Sequence, residues 1–182
     1  MEDVASARPY RVCVVCSGNI CRSPMGEVVL RAAFEEVGLG DDVEVDSAGT
    51  GAWHVGDQAD HRALQALTGR GYDGSRHRAR EFEPAWLSRR DLVLVADRRH
   101  HADLLSMAAT PQDADRVRYL REFDPAARAA GDLDLADPYY GDRSGFEECL
   151  RQVVDAAAGI VEHVRLALSA RPHTSGEVAS RS

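Results

Sequence analysis

The chain of 182 residues is 44% apolar and 29% charged, with a formal net charge of −8. That length suits one domain with its own core, the mixture is that of a globular protein rather than a disordered or fibrous one, and the negative charge argues against general nucleic-acid binding. No apolar run approaches the roughly 20 residues of a membrane helix and the opening MEDVASARPY lacks an apolar signal segment, so a cytoplasmic protein is expected.

Tyr10–Cys16 (YRVCVVC) is apolar and β-branched and reads as a buried strand. SGNI follows with a Gly-Asn turn signal. Ser23-Pro24 is expected to cap and open a helix that runs to about Val37, where Gly38 stops it. Its apolar residues Met25, Val28, Val29, Ala32, Ala33 and Val37 fall on roughly one side, and Gly26 within it weakens the helix by about 1 kcal/mol against Ala. Residues 43–47 form a second strand, 48–56 a glycine-rich loop with Trp53 and His54, 59–68 a helix and 84–89 a short helix. Residues 91–96 (DLVLVA) are the clearest buried strand; 98–108 read as helix and 117–120 as a weak fourth strand. A long loop holding ADPYYG leads to a last helix over 144–168, its inner side carrying Phe146, Cys149, Leu150, Val153, Val154, Ala157, Ile160, Val161 and Val164. The polar stretch from Arg171 reads as a disordered tail, which leaves residues 1–170 as one domain. Strands alternate with helices, so the expected fold is α/β: a central four-stranded parallel sheet with helices on both faces. Ligands of such sheets bind beyond the carboxyl ends of the strands, where the loop between the first strand and the first helix lies.

All 22 basic residues are arginine, so no lysine is present to act as a Schiff base or general base. Cys13, Cys16 and Cys21 fall close together and Cys149 stands apart, a distribution that points to thiol or metal chemistry rather than a disulfide framework. Cys13 and Cys16 make a C-x-x-C pair. No second such pair and no H-x₃₋₅-H follows, so neither a zinc site nor a cofactor is expected.

The segment Cys16-Ser17-Gly18-Asn19-Ile20-Cys21-Arg22-Ser23 carries the chemistry. A cysteine and an arginine five residues apart say little in a chain so rich in arginine. Here, however, a strand feeds the loop, a turn pair sits inside it and a helix leaves it. Backbone N–H groups of a tight loop converge on one anion, and a helix N-terminus adds its own unpaired donors. Arg22 brings a planar fork matched to two phosphate oxygens. The same field favours a thiolate at Cys16. A thiolate beside a phosphate cradle implies phosphoryl transfer through a phosphocysteine, the loop donors stabilising the equatorial oxygens of the transition state without need of a metal. The bland alternative is a buried strand-end cysteine and a surface arginine.

VCVVCSGNICRSP (residues 12–24) resembles the N-terminal signature of the bacterial low-molecular-weight protein-tyrosine phosphatases. Further blocks similar to that family follow in order: DSAGTGAWHVG (residues 46–56), His77-Arg78-Ala79-Arg80, DLVLVAD ending at Asp97, and Asp137-Pro138-Tyr139-Tyr140. Gly26 and Ala96 depart from the Ala and Met common there. The resemblance implies Cys16 as nucleophile, Arg22 as the phosphate-binding arginine and Asp137 as general acid and then base. Ranking among 30 acidic residues, Asp137 could not have been picked by spacing. It also implies that Ser17, Gly18, Asn19, Ile20 and Cys21 line the phosphate, that Ser23 donates to the Cys16 sulfur, and that Asn19 takes a left-handed conformation braced by Ser47 and His77. Trp53, Tyr139 and Tyr140 would wall a slot fitted to phosphotyrosine and too deep for phosphoserine. Phosphotyrosine-containing proteins are the implied substrates. Tyr139 and Tyr140 resemble positions that kinases modify, so a bacterial tyrosine kinase is an implied partner; a monomer or weak dimer is expected, without nucleic acid or membrane. Cys21 is near enough in sequence to Cys16 for a reversible protective disulfide.

Three rivals stand beside this reading. Arsenate reductase on the same fold needs a relay of further cysteines, and none lies between Cys21 and Cys149. Protein-arginine phosphatases resemble CTGNTCRS loops, with threonine where this chain has Ile20. A silent phosphotyrosine-binding module would be expected to lack Cys16, Arg22 or Asp137, and all are present.

Overall fold

In the computed structural model, which describes residues 8–171, the YRVCVVC run is strand β1 (Tyr10–Cys16). It lies inside a four-stranded sheet of order β2-β1-β3-β4, where β2 is Val43–Gly49, β3 is Leu92–Val95 and β4 is Val117–Tyr119. Every pairing is parallel. The N-terminal stretch read for a signal and nearly all of the expected tail, residues 1–7 and 172–182, lie outside the described residues. Among the described residues no helix is long and apolar enough to cross a membrane.

β1 is buried on both faces, which is why it reads as a continuous apolar run rather than an alternating one. Val12, Val14 and Cys16 enter the core on one side of the sheet with Met25, Leu30, Phe146 and Ile160. Cys13 and Val15 enter the other with Phe82, Leu87 and Leu104. Each fully buried aliphatic side chain of this kind stabilises the fold by about 1.5–3 kcal/mol. The alternation also disposes of the C-x-x-C pair: residues three apart in a strand point to opposite faces, so Cys13 and Cys16 are separated by the sheet itself.

The helices are α1 (Arg22–Glu36), α2 (His61–Gly69), α3 (Arg98–Met107), α4 (Pro111–Asp115), α5 (Pro125–Ala130) and α6 (Arg143–Ser169), with 3₁₀ turns at Pro84–Arg89 and Leu120–Phe123. α1 corrects two expectations. It begins at Arg22, and Ser23 gives it no cap, because that hydroxyl is engaged elsewhere. It is also covered on more than one side: Leu30 and Phe34 are buried whereas Val37 is exposed, since the helix lies between the sheet and α6. Gly26 has a packing reason. A Cβ there would fall 2.8 Å from Val14 Cγ1, so the glycine lets α1 close onto β1.

α5 falls within the stretch expected to be a long loop, and α4 within one to which the sequence reading gives no element. Both carry local start signals, Thr110-Pro111 and Asp124-Pro125, whose side chains accept from the first-turn N–H groups. Neither is long enough to display a hydrophobic period, which is why periodicity missed them.

The register fixes where chemistry can occur. Cys16 pairs with Gly49 and Val15 with Val95, so the carboxyl ends of the three strands finish level. From β1 the chain passes to β2 on one side, while β3 and β4 lie on the other. The crevice between β1 and β3 is therefore the topological switch point.

Candidate active site

Residues 16–22 leave β1 at this switch point and turn into α1. Asn19 makes the turn at φ 57°, a left-handed conformation that asparagine tolerates better than most residues. It is fully buried and held at every polar side-chain atom. Its Nδ2 donates to Ser23 Oγ at 2.8 Å and Ser47 Oγ at 2.9 Å. Its Oδ1 accepts from the Arg80 backbone N–H at 2.8 Å, and its carbonyl accepts from His77 Nε2 at 2.7 Å. Gly49 lies against the same turn: a Cβ there would fall 2.5 Å from the Ser17 carbonyl.

These bonds have a direction. Ser47 donates to Glu27, a carboxylate that only accepts, so the Ser47 oxygen is left to accept from Asn19. Ser23 Oγ likewise accepts from Asn19, which frees its hydrogen for Cys16 Sγ, 2.9 Å away. The chain of bonds thus ends with an O–H aimed at the sulfur. Glu27 was not singled out from sequence, although it lies four residues after Ser23 and so on the same helical face.

Burial pushes the Glu27 carboxyl up, but the adjacent His77 ring, the bond from Ser47 and the Arg31 guanidinium outweigh it and hold it below its ordinary value. A depressed carboxylate contributes stability in full above its unfolded value of about 4.3, and that contribution is lost as pH falls through the folded value. Glu27→Gln is therefore expected to lower the melting temperature by a constant amount above about pH 5 and by progressively less towards pH 3. Melting curves across that range check it; a gap that widens towards acid would overturn the assignment.

The N–H groups of residues 17–21 donate to no protein acceptor among the described residues. Beside them the Arg22 side chain is buried. Its Nη1 donates to Asp97 Oδ2 at 2.8 Å and to the Leu135 carbonyl at 2.9 Å. Burial opposes its charge, but Cys16, Asp137 and Asp97 more than compensate and keep the guanidinium protonated. Asp97 also caps α3, its Oδ1 accepting from the N–H groups of Arg99 and His100. Its part in holding Arg22 could not be read from the DLVLVAD block.

Asp137 arrives on the loop before α6, its Oδ2 3.4 Å from Arg22 Nη2 and its side chain 46% exposed. Its Oδ1 accepts from the Tyr139 N–H at 3.1 Å, so the Asp-Pro turn and the aiming of the carboxylate are one feature. Arg62, at the start of α2, clasps this loop: its Nη1 donates to the Gly141 carbonyl at 3.1 Å, and its guanidinium lies 5.7 Å from the Tyr139 ring centre. Sequence reading passed over Arg62 because nothing local distinguishes it among 22 arginines.

A cleft of about 460 Å³ opens above Cys16, floored by Ser17, Gly18, Ile20, Cys21 and Arg22 and rimmed by Trp53, His54, Arg99, Tyr139 and Tyr140. Trp53 is no core residue: it is 72% exposed, lying so close to Gly51 that a Cβ there would meet the ring. Tyr140, at 93% exposure, forms only the outer rim. Burial pushes the Cys21 thiol far up, and the charges of Asp60 and Cys16 add to the effect. Cys149 is likewise buried and pushed up.

Comparison with known proteins agrees with this geometry. The profile of the family described as low molecular weight phosphotyrosine protein phosphatase matches residues 11–169. A low molecular weight protein-tyrosine-phosphatase of Streptomyces coelicolor is 55% identical over 86% of this chain and 94% of its own length. The low molecular weight protein-tyrosine phosphatase A of Mycobacterium tuberculosis is 46% identical over 86% and 92%. Among solved structures, a protein tyrosine phosphatase of Entamoeba histolytica with Hepes in its active site superposes with a TM-score of 0.81 at 26% identity, covering 87% of this chain and 99% of that one. A match spanning the whole sheet and both site loops leaves one assignment: the chain belongs to the low molecular weight phosphotyrosine protein phosphatase family.

Proposed function

We propose that the chain hydrolyses phosphotyrosine through a phosphocysteine on Cys16. The observation that carries this reading is the set of unengaged loop N–H groups around a nearly buried Cys16, with Arg22 and Asp137 beside it. The Cys16 thiolate attacks phosphorus, forming the P–S bond as the P–O bond to tyrosine breaks, and Asp137 gives its proton to the departing oxygen. In the second step the Asp137 carboxylate takes a proton from water, the water oxygen attacks phosphorus, and the sulfur leaves as a thiolate stabilised by the Ser23 hydroxyl. The loop N–H groups and Arg22 hold the three equatorial oxygens throughout.

Residues 1–170 form the catalytic domain on this reading, as one sheet with both faces covered supports. The reacting sulfur lies at the bottom of the cleft with Trp53 and Tyr139 at its rim, which favours a long, flat phosphotyrosine over phosphoserine. Ile20 at the floor keeps that surface apolar. The substrates are phosphotyrosine-containing proteins, a tyrosine kinase is the enzyme whose products are reversed, and the acting species is a cytoplasmic monomer or weak dimer.

Hydrolysis of p-nitrophenyl phosphate in the presence of EDTA tests the reading. Turnover is expected in the wild type. Asp137→Asn is expected to lower kcat by about 10²–10⁴-fold on phenyl phosphate, and by less on p-nitrophenyl phosphate, whose leaving group needs less help from an acid. Equal losses on both substrates would remove Asp137 from the role of acid. A folded, reduced wild type that binds phosphotyrosine without turnover would make the protein a binding module instead.

A further inference from the structure

His100 takes no part in the chemistry above, yet it is buried beneath the cleft at 1% exposure. Its Nε2 lies 2.8 Å from Ser17 Oγ. Its Nδ1 lies 3.1 Å from Asp97 Oδ1 but out of line for a hydrogen bond, so among the described residues it is a buried polar atom facing a charge with no bonded partner. Burying an imidazole this way is unfavourable compared with an apolar side chain of similar size. What the ring connects explains its presence. On one side is Ser17, the residue after the nucleophile, whose N–H belongs to the loop cradle. On the other is Asp97, whose second oxygen holds Arg22.

We infer that His100 is a positioning residue that ties the backbone half of the phosphate grip to its guanidinium half. The inference rests on the reading of residues 16–22 as a phosphate cradle. The two halves arrive on different connections: the loop leaves β1, while the holder of Arg22 stands between β3 and α3. The imidazole spans them. The negative charge of Asp97 beside Nδ1 favours the tautomer with the proton there, although no hydrogen bond is made, and leaves Nε2 to accept from the Ser17 hydroxyl. The Ser17 side chain is thereby held inward, against α3, and its N–H is left to the anion. Burial keeps the ring neutral against the pull of Asp97 and Asp103, with Arg22 and Arg99 acting in the same direction as burial.

The test is steady-state kinetics on p-nitrophenyl phosphate, inhibition by inorganic phosphate, and melting temperature, for wild type, His100→Leu, His100→Gln, Ser17→Ala and the Ser17→Ala/His100→Leu double variant. His100→Leu keeps the volume and removes the link. It is expected to lower kcat and weaken phosphate inhibition, each by about 10- to 100-fold, the scale of a small misplacement of reacting groups. His100→Gln, whose amide can meet the Ser17 hydroxyl but not also face Asp97, is expected to recover only part of both. Ser17→Ala is expected to move both in the same direction, and the double variant to be no worse than the worse single, since one link is broken twice. A role in packing alone would show the opposite order, with leucine tolerated and glutamine not. Wild-type kinetics in His100→Leu, or losses that multiply in the double variant, would overturn the inference while leaving the phosphatase reading intact. A wild type that neither turns over the substrate nor is inhibited by phosphate would remove that reading, and the inference with it.

Discussion

Cys16→Ser is expected to abolish turnover, a loss of at least about 10⁴-fold in kcat, while leaving the fold and the affinity for inorganic phosphate nearly unchanged. The site makes these effects separable. The loop N–H groups and Arg22, which would hold the anion, do not depend on the sulfur. The only side-chain partner of Cys16 Sγ among the described residues is Ser23 Oγ, and a hydroxyl is no base. A serine at position 16 would therefore keep its proton and remain a poor nucleophile. Removing one sulfur from a site 3% exposed changes little volume, so the melting temperature should move by no more than a few degrees. Kinetics, phosphate inhibition and a melting curve on one preparation decide the matter. Residual activity near the wild-type level would place the nucleophile elsewhere. Joint loss of phosphate affinity and stability would show a structural lesion instead.

Arg22→Lys should be nearly as damaging, although it keeps the charge. Arg22 uses Nη1 on Asp97 and on the Leu135 carbonyl and sets Nη2 3.4 Å from Asp137, so on the proposed reading phosphate would meet the Nε and Nη2 edge of the planar fork. A lysine ammonium is a point charge that can meet Asp97 or the phosphate but cannot bridge the two in a fixed plane. The expected loss in kcat/KM is about 10²–10³-fold, the scale of removing a positioned donor from a charge-developing transition state. Arg22→Ala should lose as much activity and also destabilise the protein by about 1–3 kcal/mol, because Asp97 and the Leu135 carbonyl lose a buried partner. A lysine variant with wild-type kinetics would mean that charge alone suffices and that the fork geometry is incidental. An alanine variant as stable as wild type would mean that Asp97 and Leu135 find water in its place.

Much of this site is visible in the sequence, for local reasons. β1 is a run of buried β-branched residues, and its length and composition mark it without reference to anything distant. The turn at Gly18-Asn19 is a property of two adjacent residues. The helix after it follows from the end of the strand and the spacing of Met25, Val28 and Val29. The loop from Cys16 to Arg22 could be read as an anion site because its donors are its own backbone and the helix it opens. Asp137, Ser47, His77 and Trp53 were found only because their blocks resemble a family, since no local rule separates them from other residues of their kind.

Where local logic was pressed too far, tertiary contacts prevailed. Ser23 looks like a helix cap, but it faces Cys16 and Asn19, and that pairing took its hydroxyl. Gly26 looks like a weak point in α1, but Val14 on the neighbouring strand occupies the space a side chain would need. Cys13 and Cys16 look like a pair, but a strand sends them to opposite faces.

The sequence by itself determined the strands, the Gly18-Asn19 turn and the helix that leaves it, because steric preference and hydrophobic period act over a few neighbouring residues. The tertiary structure alone decided which charge meets which. Arg22 finds Asp97 from 75 residues away and the Leu135 carbonyl from 113, and Ser17 finds His100 across 83. A chain with 22 arginines and 30 acids offers hundreds of such pairings, and only the strand order and the level finish of β1, β2 and β3 select among them.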